Sequence, residues 1–241
     1  MASVTRPKTQ KQPALEPTPP LENGDRLTRA EFERRYTAMP ELKKAELIEG
    51  VVYMPSPVSF RRHGRPHIHV AGWLTTYEAG TPGVLAADNA SARLDLDNEP
   101  QPDALLMIDP ERGGQARISD DDCVEGAPEL VVEVASSSVS IDLHKKFHVY
   151  RRSGVREYVV WRVGDRRIDW YVLRDGEFIQ IDPDEQGHYR SAIFSGLWLD
   201  ATALVEGDLA KVLDVVRQGL AAPEHQKFLS DLAARSSNLR P

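Results

Sequence analysis

The sequence predicts an α/β fold, a mixed β-sheet with helices packed on it and an additional β-hairpin region. Three observations carry that expectation. Two short runs, Ala104-Leu105-Leu106-Met107-Ile108 and Leu130-Val131-Val132-Glu133-Val134-Ala135, are almost continuously apolar, as strands covered on both faces are. Segments with apolar residues at helical spacing fall before the first run and after the second. A late series of short strand-like runs is separated by Gly164-Asp165 and Asp175-Gly176, residue pairs that suit tight turns. A helical bundle or a pure sandwich would not produce this order.

Taken in order, residues 1–26 are polar and interrupted by Pro7, Pro13, Pro17, Pro19 and Pro20, which reads as a disordered arm. Thr28-Arg29-Ala30-Glu31 has capping-box spacing and starts a helix through about Tyr36. Glu46-Leu47-Ile48 and Val51-Val52-Tyr53 read as two strands turned at Glu49-Gly50 and stopped by Pro55 and Pro57. Ile68, Trp73, Leu74 and Tyr77 fit an amphipathic helix from about Pro66 to Glu78, with proline acceptable in its first turn. Short strands are expected near Val84-Leu85-Ala86 and from Ala92 to Leu96. The two apolar runs follow, with a polar, acidic surface excursion between Pro110 and Gly126.

After Ser136-Ser137-Ser138 comes a helix from about Ile141 to Arg152, ended by Gly154. Residues 156–163 and 167–173 form a hairpin, and 178–181 a further strand. A last apolar helix spans about Thr202 to Arg217 before a polar finish. The domain reading is thus an arm at 1–26, one α/β domain at 27–200, and a helical extension with a polar tail at 201–241.

Composition narrows the functional classes. With 41% hydrophobic residues in 241, the chain can build a core without disulfides or a structural metal. Cys123 is the only cysteine, which excludes an intrachain disulfide and a cysteine-rich zinc site. No apolar run is long enough to span a bilayer or serve as a secretory signal, so a soluble, cytoplasmic protein with no membrane partner is expected. The formal charge of −7 argues against nonspecific coating of nucleic acid, but not against a carboxylate-rich metal site.

Glu133 is the residue that most needs explaining, because a carboxylate inside a buried strand costs several kcal/mol unless a cation or donors compensate. Period-two alternation turns Val131, Glu133 and Ala135 to one face, and the small alanine leaves space beside the carboxylate. Asp103 stands at the start of the other run. If the two strands are neighbours, these oxygens can converge on Mg²⁺ or Mn²⁺, which would polarise a phosphate and activate water. On the following helix Leu143, Phe147 and Tyr150 form the apolar stripe. At about 100° per residue, Lys146 lies roughly 65° from its centre and Lys145 nearly opposite. Lys146 is therefore the amine expected to border the sheet and reach Glu133, while Lys145 stays solvated; the alternative for Asp142, one helical turn earlier, is a simple i,i+4 salt bridge with Lys146, worth little when exposed. His63, His67 and His69 lack the spacing of a zinc site. Trp161, Trp170 and Tyr171 suit sheet packing or a dimer surface better than base stacking, because they lack interleaved arginine and lysine.

Several stretches together resemble the bacterial putative restriction endonuclease family of the PD-(D/E)xK nuclease superfamily, over about Thr28 to Trp198. They are Glu46-Leu47-Ile48-Glu49-Gly50, Met54-Pro55-Ser56-Pro57, His63, Pro102-Asp103 and Ala127-Pro128-Glu129-Leu130-Val131-Val132-Glu133-Val134-Ala135-Ser136, followed by Asp142 to Tyr150 and Gly154 to Val160. The resemblance implies a restriction-endonuclease-like core with Asp103 and Glu133 as acidic metal ligands. The superfamily's usual lysine two residues after the second carboxylate is replaced here by Ala135, and the corresponding amine is implied to be Lys146. Glu49 matches a recurring early carboxylate and His63 a recurring histidine. The resemblance also implies a homodimer and a Mg²⁺ requirement. The expected activity is Mg²⁺-dependent hydrolysis of phosphodiester bonds, with DNA as the leading substrate. The alternatives are a noncatalytic homodimeric binding or regulatory protein on the same scaffold and a hydrolase of another phosphorylated substrate.

Overall fold

The computed structural model describes residues 18–54 and 59–238, without the side chains of 236–238. Pro55 and Pro57, expected to stop a strand, and most of the expected arm lie outside the described residues. The remainder of that arm is packed: Leu21 is buried with Phe32, Leu47 and Val52, and Arg26 bridges to Val51. The arm expectation therefore does not hold for residues 18–26, where one well-placed leucine gives the chain an apolar anchor.

Helix α1 (Arg29–Thr37) is capped by Thr28 and covers a hairpin of β1 (Glu46–Ile48) and β2 (Val51–Tyr53). The hairpin turns through Glu49 and Gly50, whose φ values of 52° and 70° both lie in the left-handed region. That is the geometry a two-residue turn needs to match the strands' twist, and glycine adopts it without steric cost. A π-helical turn, Phe60–Gly64, runs into α2 (Arg65–Ala79), which extends the expected helix toward its amino end.

The main sheet contains β3 (Val84–Ala87), β5 (Ala104–Ile108), β8 (Leu130–Ala135), β9 (Glu157–Arg162), β10 (Arg167–Arg174) and β11 (Glu177–Ile181), in the order β11-β10-β9-β8-β5-β3. Only β8 and β9 pair in parallel, across the connection that carries α3 (Phe147–Ser153); the other neighbours are antiparallel. The strand expected at 92–96 shrinks to β4 (Ala92–Arg93), which joins β6 (Arg117–Ile118) and β7 (Val124–Glu125) in a small side sheet. A second unforeseen pair, β12 (His188–Arg190) and β13 (Trp198–Asp200), packs under α2. Its anchors are Trp73 Nε1, which donates to the Trp198 carbonyl at 2.9 Å, and Tyr77 OH, which donates to the Ser195 carbonyl at 2.9 Å.

Alternation splits the sheet residues between two cores. Leu106, Leu130, Val132 and Val134 face α2 and the C-terminal helices, while Val131, Ala135, Tyr158 and Val160 face the α3 side. The single helix expected at 202–217 is instead α4 (Ala201–Glu206) and α5 (Leu209–Leu220). Gly207, left-handed at φ 81°, ends the first, and the Asp208 side chain accepts from Lys211 N to start the second. The expected polar finish is largely a further helix, α6 (Pro223–Asn238). Leu204, Val212, Val216 and Leu232 belong to the same core as Trp73, so these helices complete the sheet's packing rather than extend from it.

Candidate active site

The site lies where β5 and β8 part. Their ladder ends with Ala104 opposite Val132, and one residue further Asp103 and Glu133 would face each other. There the main-chain pairing stops, and Asp103 Oδ2 accepts the Val134 N–H at 2.8 Å in place of a carbonyl. Alternation puts Glu133 on the face of Val131 and Ala135, as the sequence predicts, and so beneath α3.

Lys146 arrives on a π-helical turn, Ile141–Lys146, that feeds into α3. The wider turn rotates the following residues relative to a regular helix, and such turns cluster at functional sites. Lys146 Nζ lies 2.9 Å from Glu133 Oε1, 2.7 Å from Glu46 Oε1 and 3.9 Å from Asp142 Oδ1. Tyr150 OH donates to Glu133 Oε1 at 2.9 Å, and Ser138 Oγ donates to Asp142 Oδ2 at 2.5 Å. Asp103 faces a second set of partners: Lys44 Nζ is 3.3 Å and His63 Nε2 3.5 Å from its Oδ1. His63 Nδ1 is also 3.2 Å from the Val134 carbonyl. His67, stacked on His63, places Nε2 2.7 Å from the Asp103 carbonyl and 3.1 Å from Asp88 Oδ1.

The structure therefore brings Asp103, Glu133, Lys146 and His63 together and leaves Glu49 out. Glu49 sits on the left-handed hairpin turn with its side chain 40% exposed, and its Oε1 is 3.4 Å from Arg152 Nη1. The early carboxylate that reaches the centre is Glu46, which also accepts the Gln101 N–H at 2.8 Å. Alternation within Glu46-Leu47-Ile48 was the available signal: Leu47 packs into the hairpin core, so Glu46 turns the other way. Asp142 is buried in the i,i+4 pair with Lys146, and Lys145 is half-buried, donating to Tyr53 OH at 2.7 Å. Tyr150 and Lys44 are the other residues missed. Tyr150 read as part of an apolar stripe, and nothing local in the sequence marks Lys44.

Electrostatically the centre is short of positive charge. Burial pushes the Glu133 and Asp142 carboxyls up, and their neighbours Glu46 and Asp103 push in the same direction, against the pull of Lys146. Burial alone would lower the Lys146 ammonium, but Glu133, Glu46 and Asp142 hold it well above its ordinary value. Asp103 is also opposed by burial, yet Lys44, His63 and the Val134 N–H keep its carboxyl below the usual range. A divalent cation would correct this imbalance, and an all-oxygen donor set suits Mg²⁺ or Mn²⁺. Among the described residues, no three His, Cys, Asp or Glu side chains are grouped so as to enclose a metal. Mg²⁺ usually needs only one or two carboxylates, with water and phosphate oxygens completing its shell, so Asp103 and Glu133 fit that requirement.

The comparison that decides the family is with the Uma2 model, described as "Putative restriction endonuclease", which matches residues 29–202. The chain belongs to the Uma2 family. That stretch contains Asp103, Glu133 and Lys146 and every strand of the main sheet. Among solved structures, the chain is similar to a putative nuclease belonging to DUF820 from Anabaena variabilis, with 16% identity and a TM-score of 0.54 over 71% of this chain and 97% of the other. At that identity the likeness shows the fold: this Uma2 chain has the mixed α/β architecture of that protein. No curated protein matches the chain. Among the described residues, no helix of this family member is long and apolar enough to cross a membrane.

Proposed function

We propose that the chain is a Mg²⁺-dependent endonuclease that hydrolyses phosphodiester bonds, with DNA as its substrate and Asp103, Glu133 and Lys146 at its centre. The observation that carries this reading is the fork itself: one carboxylate just before β5 and one within β8 where their ladder stops, with the Lys146 ammonium 2.9 Å from Glu133. Asp103 and Glu133 would hold the ion, which when bound supplies Lewis-acid polarisation of the phosphate and a more acidic water. Lys146 has three N–H donors; Glu46 and Glu133 engage two of them, leaving one for a phosphate oxygen or the attacking water. Tyr150 and Lys146 together fix the Glu133 carboxylate from the α3 side, so its remaining oxygen is positioned without reorganisation. Lys44 and His63, partly exposed beside Asp103, are placed to meet a phosphate entering from solvent.

The test uses linear, circular, single-stranded and branched nucleic acids with Mg²⁺, with Mn²⁺ or with chelator. Cleavage should require the metal. Asp103→Asn keeps an acceptor for the Val134 N–H and should retain the parent's circular dichroism spectrum while lowering cleavage at least about a hundredfold; Glu133→Gln should do likewise. Metal-independent cleavage, or full activity in both variants, would overturn the assignment.

A further inference from the structure

The segment that delivers His63 and His67 to the site carries a second, outward-facing feature. Residues 60–69, Phe-Arg-Arg-His-Gly-Arg-Pro-His-Ile-His, hold three arginines and three histidines. No aspartate or glutamate occurs from Val51 to Tyr77, although the whole chain has a net charge of −7. Arg61, Arg62 and Arg65 are exposed and make no ion pair among the described residues, whereas Arg34, Arg35, Arg93, Arg151 and Arg162 each lie against a carboxylate. Beside them Phe60 is 74% and Ile68 63% exposed, two of the largest exposed apolar side chains of the described residues.

We propose that this face, Phe60 to Ile68, is where a nucleic-acid strand docks, with Arg61, Arg62 and Arg65 on its phosphates and Phe60 stacked on an unpaired base. The proposal rests on the reading of the site as a phosphodiesterase centre and adds the strand's path and its single-stranded character at Phe60. Its position fits: His63, between Arg62 and Arg65, touches the Val134 carbonyl and faces Asp103, so a backbone held by the arginines runs past the strand fork. The chemistry fits as well, because unpaired arginines give charge-assisted contacts to phosphate and an exposed ring offers a platform that any unpaired base can use. In a chain that is acidic overall, a local cationic face determines where a polyanion can approach. An anionic membrane is the weaker match, since basic clusters that bind one typically carry about four to eight lysines and arginines.

The experiment measures fluorescence anisotropy of labelled single-stranded and duplex oligonucleotides in chelator, so that binding is read without cleavage. Arg61→Ala/Arg62→Ala/Arg65→Ala should weaken binding about tenfold or more and reduce the slope of log affinity against log salt by about three. A control triple at exposed cations elsewhere, Arg166→Ala/Arg174→Ala/Lys227→Ala, should change neither by more than about twofold. Phe60→Ala should cost about tenfold on single strands and leave duplex binding unchanged. Equal losses in the two triple variants, an unchanged salt slope, or no binding by the parent would overturn the proposal. Retention of the parent on phosphatidylserine vesicles without oligonucleotide binding would do so too. Metal-dependent hydrolysis of bis(p-nitrophenyl) phosphate by the parent decides the catalytic reading separately: it can survive when the docking face fails, and its absence with intact arginine-dependent binding would sink only the catalytic reading.

Discussion

Two buried glutamates in neighbouring strands meet opposite environments. Glu133 faces an ammonium and three other carboxylates, whereas Glu157, fully buried in β9, is held by neutral donors: Ser191 Oγ at 2.5 Å and the Ala192 N–H at 2.7 Å. Burial pushes the Glu157 carboxyl up to about 7, with those donors pulling back, from an ordinary value of 4.5. Between these values the unfolded chain has released its proton while the folded chain retains it, so this group destabilises the fold progressively as pH rises from 4.5 to 7. Glutamine reproduces the neutral form, with its carbonyl for Ala192 and its amide for Ser191. Glu157→Gln should therefore match the parent near pH 4.5 and exceed it by about 2–3 kcal/mol at pH 8 in urea unfolding. Equal pH dependence in the two proteins would show that Glu157 is ionised in the fold. At this scale the sequence was only partly legible. Glu133 and Lys146 stood out because a charge within an apolar pattern demands a partner. Lys44 and Tyr150 did not, because an exposed-looking lysine and an aromatic on a helix stripe are ordinary until a distant strand meets them.

The elements themselves follow local patterns closely, and the departures have local causes. The strands of the main sheet and the helices before residue 200 lie where apolar periodicity puts them. The Phe60–Gly64 turn precedes the expected helix, and Glu46 in β1, rather than Glu49 in the hairpin turn, lies against Lys146. Helix α5 offers a test of element packing. Gly219 lies in its last turn, where alanine would raise helix propensity by about 1 kcal/mol. A Cβ there would stand 2.1 Å from the Gly196 carbonyl in the β12–β13 connection. Backbone cannot yield as a flexible side chain does, so the clash outweighs the propensity gain. Gly219→Ala should lower stability by about 1–3 kcal/mol in denaturant titration, whereas an unchanged or higher midpoint would mean that α5 and the connection separate freely.

For the whole molecule, the decisive feature is that the C-terminal helices share the core that positions α2, and α2 follows the turn carrying His63. Val212, Val215, Val216 and Leu232 are all buried. Burying four such side chains contributes about 6–12 kcal/mol, comparable to the entire stability of about 5–15 kcal/mol of a typical domain. A chain ending at residue 208 should accordingly lose its cooperative thermal transition and bind a hydrophobic dye. A sharp melt without dye binding would instead show that residues 209–241 are dispensable.

The sequence by itself determined the α/β class, the two central strands, the face that Glu133 occupies and the helix side that Lys146 occupies, because period-two and near-3.6 patterns record which way each side chain points relative to its own backbone. Only the tertiary structure decided which carboxylates converge. Glu46 and Asp103 are 57 residues apart and Lys146 another 43 on, and their meeting depends on strand order, on where the β5–β8 ladder stops and on a π-helical turn. A local pattern carries direction but not distance, and a site needs both.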